Sequence, residues 1–144
     1  MLQRYDERNK DLVVYINGHL VHRDEAGVSP FDSAVQNGDA VWEGLRLYNG
    51  RIFRLEQHLD RLYRSAEMLR YEGLPDRSEI IEALRQTLVA NEMHDGVHVR
   101  LTLSRGMKYT SGLDPRINTK GCSLFILAEF KPPVYSTKGV HLVT

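Results

Sequence analysis

The chain reads as an α+β domain: an antiparallel sheet of hairpins with two helices packed on one face. Three observations predict this. Asn17-Gly18 and Asn49-Gly50 each sit between apolar runs, the strongest short signal for a two-residue hairpin turn. Two runs with helical spacing occupy the middle of the chain. Val97, Val99, Leu101 and Leu103 then alternate strictly with His98, Arg100, Thr102 and Ser104, the period of a half-buried strand.

Taken in order, Leu12 to Ile16 is a strand and Leu20 to Val21 its return across Asn17-Gly18. Phe31 to Gln36 forms one helical turn, with Ser29 or Asp32 as cap. Val41 to Tyr48 is a second long strand, and Arg51 to Phe53 returns across Asn49-Gly50. The two turns together predict an antiparallel meander. A helix follows from about Leu55 to Tyr71, because Leu55, Leu59, Leu62, Ala66 and Leu69 make one apolar stripe; Gly73 and Pro75 stop it. A second helix from about Ser78 to Asn91 buries Ile80, Ile81, Leu84 and Leu88. After the alternating strand a polar loop runs to Gly121. Ser123 to Phe130 is a strand, Pro132-Pro133 breaks it, and Val140 to Val143 starts another. The chain stops inside that strand, which predicts a first domain over 1–131, followed over 132–144 by a connection and the beginning of a second, larger domain.

At 144 residues the chain can bury a real core. Nineteen basic and nineteen acidic residues cancel, so no global field recruits nucleic acid or an anionic membrane. The N-terminus is polar, without a signal peptide's apolar run, and the apolar stretches are too short to span a bilayer. One cysteine, Cys122, excludes an internal disulfide and fits a reducing, cytoplasmic setting. It lies in an apolar strand and reads as a small core residue. His19 and His22 lack a third ligand nearby and read as a surface pair.

The helix after Asn49-Gly50 carries the chemistry. Arg54, His58, Arg61 and Ser65 form a line beside the apolar stripe. The stem of Arg61 can pack at the edge of the buried face while its planar fork, a good match to a phosphate, points into a cleft. Acids interleave with the arginines from Arg46 to Arg70, so the same pattern also describes a solvated helix face paired with its own neighbours.

The run SPFDSAVQNGDAVWEGLRLYNGRIFRLEQHLDRLYRSAEML, with its E-G-x-R, turn and H-x-x-R-L-x-x-S-A pattern, resembles the small N-terminal domain of the class IV, pyridoxal-phosphate-dependent aminotransferases. The family includes branched-chain and D-amino acid aminotransferases and aminodeoxychorismate lyase, and the resemblance covers nearly the whole chain. It implies that Arg61 binds the phosphate of pyridoxal 5'-phosphate. It places Trp42, Gly44 and Arg46 at the substrate pocket, where the missing side chain of Gly44 admits substrate close to the strand. It offers Arg100 or Arg105 for the substrate carboxylate, without choosing between the branched-chain and D-amino acid patterns. Asn37 and His98 stand where tyrosines are usual, which makes the pocket more polar. The loop from Met107 to Arg116 differs from the D-amino acid pattern; in the family it reaches toward a partner subunit, implying a homodimer.

The resemblance also implies that the Schiff-base lysine belongs to a second domain, since Lys10, Lys108, Lys120, Lys131 and Lys138 do not match it. The expected function is the front part of an enzyme transferring an amino group between an amino acid, branched-chain type favoured, and a 2-oxo acid, with this chain inert alone. A D-amino acid aminotransferase or aminodeoxychorismate lyase is the alternative within the family. A non-catalytic dimerisation or binding module is the alternative outside it, and the abrupt strand end speaks against that.

Overall fold

A computed structural model describes residues 4–133 and residue 139. Six antiparallel strands, β1 (Val13–Ile16), β2 (His19–His22), β3 (Ala40–Tyr48), β4 (Arg51–Ile52), β5 (Val97–Ser104) and β6 (Ser123–Phe130), lie in the order β2-β1-β6-β5-β3-β4. The expected α+β class is observed, but the sheet is not a simple meander. The two Asn-Gly hairpins sit at opposite edges, and β5 and β6 fill the middle. Local turn chemistry set both hairpins: Asn17 and Asn49 hold φ of 47°, followed by glycines at 93° and 75°. It could not reveal which long-range partners they take. The strand expected at Val140 to Val143 lies outside the described residues.

The helices are α1 (Ser33–Asn37), α2 (Leu55–Met68) and α3 (Arg77–Ala90). Asp32 caps α1 by accepting from Ala34 N at 2.9 Å. A capping box formed by Asp76 and Glu79 starts α3. Helix α2 ends three residues earlier than its apolar stripe suggested: Arg70 turns into the left-handed region (φ 55°) and Tyr71 N donates back to Ala66 O. Leu69, the last member of the stripe, is left exposed, whereas Leu59, Leu62 and Ala66 are buried.

Both long helices cover one face of the sheet. Their leucines meet Val41, Leu45 and Leu47 of β3, Val97, Val99, Leu101 and Leu103 of β5, and Leu124, Ile126 and Ala128 of β6. Each fully buried leucine contributes about 2 kcal/mol, which makes this single layer the main source of stability. No element covers the opposite face among the described residues. There the register sets Gly44 opposite Arg100, Arg46 opposite His98, and Trp42 opposite Thr102.

Candidate functional site

Strand β3 carries two different chemistries on its two faces, because successive side chains alternate. Trp42, Gly44 and Arg46 point to the uncovered face, and Arg100 joins them from β5. Trp42 is 53% exposed, and the Arg100 guanidinium stacks 3.9 Å from the centre of its ring. A Cβ on Gly44 would lie 3.4 Å from His98 Nε2 and 3.8 Å from Trp42 Cζ3, so the glycine is the floor of a slot between the two rings. Arg46 donates from Nη1 to Lys131 O at 2.7 Å and from Nε to Tyr48 OH at 3.3 Å. Its Nη2 is buried and has no acceptor among the described residues.

Arg61 stands on the helix-covered side of the same strand. Its Nε donates to Glu43 Oε1 at 2.6 Å and its Nη2 to Glu43 Oε2 at 2.5 Å. His58 donates from Nδ1 to Glu43 Oε2 at 2.8 Å. Glu43 is 4% exposed, whereas more than half of the Arg61 side chain faces solvent. A buried carboxylate therefore clamps one edge of the guanidinium, leaving Nη1 without a hydrogen bond among the described residues and free to take an anion. Burial alone would raise the Glu43 carboxyl, but the Arg61 and His58 hydrogen bonds outweigh it and hold it below the usual carboxylate range.

Glu43 was not among the site residues expected from the sequence. The signal was present: an acid at the second place of a Val41, Glu43, Leu45, Leu47 row that otherwise faces the core. Arg54 and Ser65, which share the helix line with Arg61, make no hydrogen bond or ion pair with Glu43. Arg54 instead precedes α2 in the left-handed region.

The two sets meet at an edge. Strand β4 pairs only with Leu47 and Tyr48, so β3 carries no strand along its outer edge from Ala40 to Leu45 among the described residues. Arg61 lies on the helix-covered side of that edge, and Trp42 and Gly44 on the other.

Arg105 is placed apart. It donates from Nε to Asp39 Oδ2 at 2.6 Å, from Nη1 to Arg70 O at 3.1 Å and from Nη2 to Leu69 O at 2.9 Å, and stacks on Tyr71. All three of its nitrogens are engaged, and two of them satisfy the carbonyls at the end of α2. The Arg100 guanidinium, by contrast, makes no hydrogen bond among the described residues.

The remaining candidates are structural in their contacts. Burial pushes the Cys122 thiol up to about 11, and its Sγ faces Glu72 O at 3.4 Å. His19 and His22, three apart on β2, fall on opposite faces of the sheet, and no cluster of three metal-ligating side chains occurs among the described residues. Lys108 is buried with its Nζ donating to Gly112 O at 2.5 Å.

The family pattern described as amino-transferase class IV matches residues 40–144, which includes β3, α2 and β5. This chain belongs to the class IV aminotransferase family. It is 51% identical over 137 residues to branched-chain-amino-acid aminotransferase-like protein 1 of Arabidopsis thaliana, a match covering 94% of this chain and 25% of that protein. It is 40% identical over 95 residues to the D-alanine aminotransferase of Listeria monocytogenes, covering 66% of this chain and 32% of that one. Its fold overlays the branched-chain aminotransferase of the thermophilic archaeon Thermoproteus uzoniensis with norvaline, with a TM-score of 0.66 at 26% identity, over 83% of this chain and 40% of that chain. The class IV chain thus spans between a quarter and less than half of these relatives' lengths. No helix among its described residues is long and apolar enough to cross a membrane.

Proposed function

We propose that these residues form the small domain of a pyridoxal-phosphate-dependent aminotransferase that moves an amino group between an amino acid and a 2-oxo acid. Branched-chain side chains are the favoured substrates. The observation that carries the reading is the pair of sites flanking the free edge of β3: a clamped, outward-facing Arg61 on one side, and Trp42, Gly44, Arg46 and Arg100 on the other.

The residues present fit the cofactor. Arg61 would hold its phosphate, because Glu43 fixes the guanidinium without consuming Nη1. Bound pyridoxal phosphate supplies the electron sink that lets a bond at the substrate α-carbon break. Arg100 binds the substrate carboxylate, its guanidinium oriented by Trp42 and open to a bidentate partner. Arg105 serves this site as the fastener of the adjoining helix end and loop, since its donors are already committed. Trp42 excludes water from the slot above Gly44, and Arg46 extends the cationic lining. The branched-chain relatives support that substrate class; a D-amino acid aminotransferase or an aminodeoxychorismate lyase is the alternative on the same frame.

Residues 1–131 make up the small domain and 132–144 lead into the large one, which supplies the Schiff-base lysine; the 144-residue chain does not transaminate alone. Lys108, buried against Gly112 O, supports this. Exposed Phe31, Val35, Tyr109 and Leu113 support a homodimer in which the 107–116 loop packs on a second copy. The single free cysteine supports a cytoplasmic setting.

Borohydride reduction of the chain incubated with pyridoxal phosphate, followed by intact mass, tests the division of labour. The expected result is a mass near 16.6 kDa with no site-specific adduct. One stoichiometric adduct on a single lysine would place the lysine inside this chain and overturn it.

A further inference from the structure

Among the described residues, His98 is the one imidazole on the uncovered face whose ring lies over the slot. The sheet register sets it directly opposite Arg46 on β3 and directly opposite Glu129 on β6, while Arg100 follows two residues later on its own strand. A Cβ on Gly44 would come within 3.4 Å of His98 Nε2, so the imidazole leans over the glycine rather than away from it. Beside it, the buried Arg46 Nη2 has no acceptor among the described residues, a state that costs free energy until an oxygen reaches it. Around one glycine the face therefore gathers a free guanidinium, a guanidinium with an unused donor, and an imidazole able to switch its charge.

We propose that His98 sets side-chain specificity at this face. Doubly protonated, its ring pairs with an anionic group on the substrate side chain, and neutral, it leaves the slot to an apolar side chain. This rests on the reading of Trp42, Gly44, Arg46 and Arg100 as the substrate face.

The electrostatics agree with the geometry. Burial, then Lys131, Arg46 and Arg100, hold the imidazole below its ordinary value, and Glu129 opposes them. The ring is thus neutral at neutral pH when the slot is empty. An arriving anion offsets Arg46 and Arg100, occupies the idle Arg46 Nη2 and favours the imidazolium, so its binding takes up a proton. Affinity for the anionic side chain then falls by up to about tenfold for each pH unit above the titration midpoint of the free ring. A tyrosine at position 98 would offer a hydroxyl whose charge is constant over this range, and the dependence would vanish.

The test uses two probes of closely similar shape, 3-sulfopropionate and 4-methylvalerate, which share a carboxylate for Arg100 and differ in an anionic or an isopropyl end. Each is titrated into the 144-residue chain at about pH 5.5 and about pH 8, with the His98 ring followed by carbon–proton NMR. The expected result is 3-sulfopropionate binding at least about fivefold tighter at the lower pH and raising the His98 midpoint, with 4-methylvalerate changing less than about twofold. In His98→Tyr the pH dependence of 3-sulfopropionate should disappear while binding persists. Equal affinity at both pH values, or an unmoved His98 midpoint in the unsubstituted chain, would overturn the role of His98. If Arg100→Gln still abolished binding of both probes in that case, the substrate face would stand. Failure of both probes to perturb Trp42, His98 or Arg100 at either pH would overturn the substrate face together with this inference.

Discussion

Glu43 shows how much a single side chain decides here. A carboxylate in a core-facing strand position costs desolvation, and it is retained because two donors from α2 reach it at once. Its consequence is to turn a long, flexible arginine into a fixed donor. Glu43→Gln removes the charge but keeps the shape; it should lower stability by about 1–2 kcal/mol in urea melts, the lower end applying because Arg61 is largely solvated. The pH dependence has a definite sign. The folded carboxyl titrates below its unfolded value, so its contribution is fully present above the ordinary carboxylate value of about 4.3 and is lost as pH falls through the lower folded value. Acid unfolding followed by circular dichroism should therefore begin at higher pH in the unsubstituted chain than its overall stability predicts, and Glu43→Gln should flatten that limb. The place of Arg61 beside the apolar stripe of α2 was readable from helical periodicity, because the pattern lies in consecutive residues. Its clamp was not, since the Glu43–Arg61 contact joins residues 18 apart, and linear spacing across a turn does not fix which acid an arginine chooses.

At the level of elements, the two ends of the 105–121 loop meet by close backbone approach. A Cβ on Gly106 would fall 1.8 Å from Gly121 O, and the residue holds φ of 99°. Gly96 also has positive φ, at 68°, but open space around it. Gly106→Ala should thus destabilise by more than about 2 kcal/mol and Gly96→Ala by about 1 kcal/mol, a difference that thermal melts resolve. Arg105 works on the same junction: it joins the start of the loop to Asp39 and to the last carbonyls of α2. Arg105→Lys cannot span those three acceptors, and amide exchange should speed up at Leu69 to Tyr71 and along the loop while β1 and β2 stay protected. Strand β5 was legible to the residue because its alternation is unbroken over eight positions, β3 because the Asn49-Gly50 turn fixes its end, and β6 because its apolar run is bounded by Gly121 and Pro132. The early end of α2 was not, since the apolar stripe continues to Leu69 and the stop comes from Arg70 entering the left-handed region, for which the sequence offers no glycine.

For the molecule as a whole, the order β2-β1-β6-β5-β3-β4 separates two edges with different roles. The β1–β2 hairpin closes one edge, while among the described residues β3 keeps most of the other free beside Arg61. The face behind that edge is uncovered among the described residues, and the apolar side chains of Phe31, Val35, Tyr109 and Leu113 stand out on an adjoining segment. Leu113, 84% exposed, should matter little to the fold of one copy and much to pairing. Sedimentation of Leu113→Asp should show a shift toward the monomer with an unchanged melting profile. Arg61 is proposed to present a phosphate-binding edge. Its most direct test is a nitrogen–proton NMR titration of the arginine side chains with pyridoxamine 5'-phosphate, using pyridoxamine as the control. The phosphorylated compound should move the Arg61 Nε–H resonance, pyridoxamine should not, and Arg61→Gln should weaken binding by at least about tenfold. An Arg61 resonance unmoved while other arginines respond would contradict it.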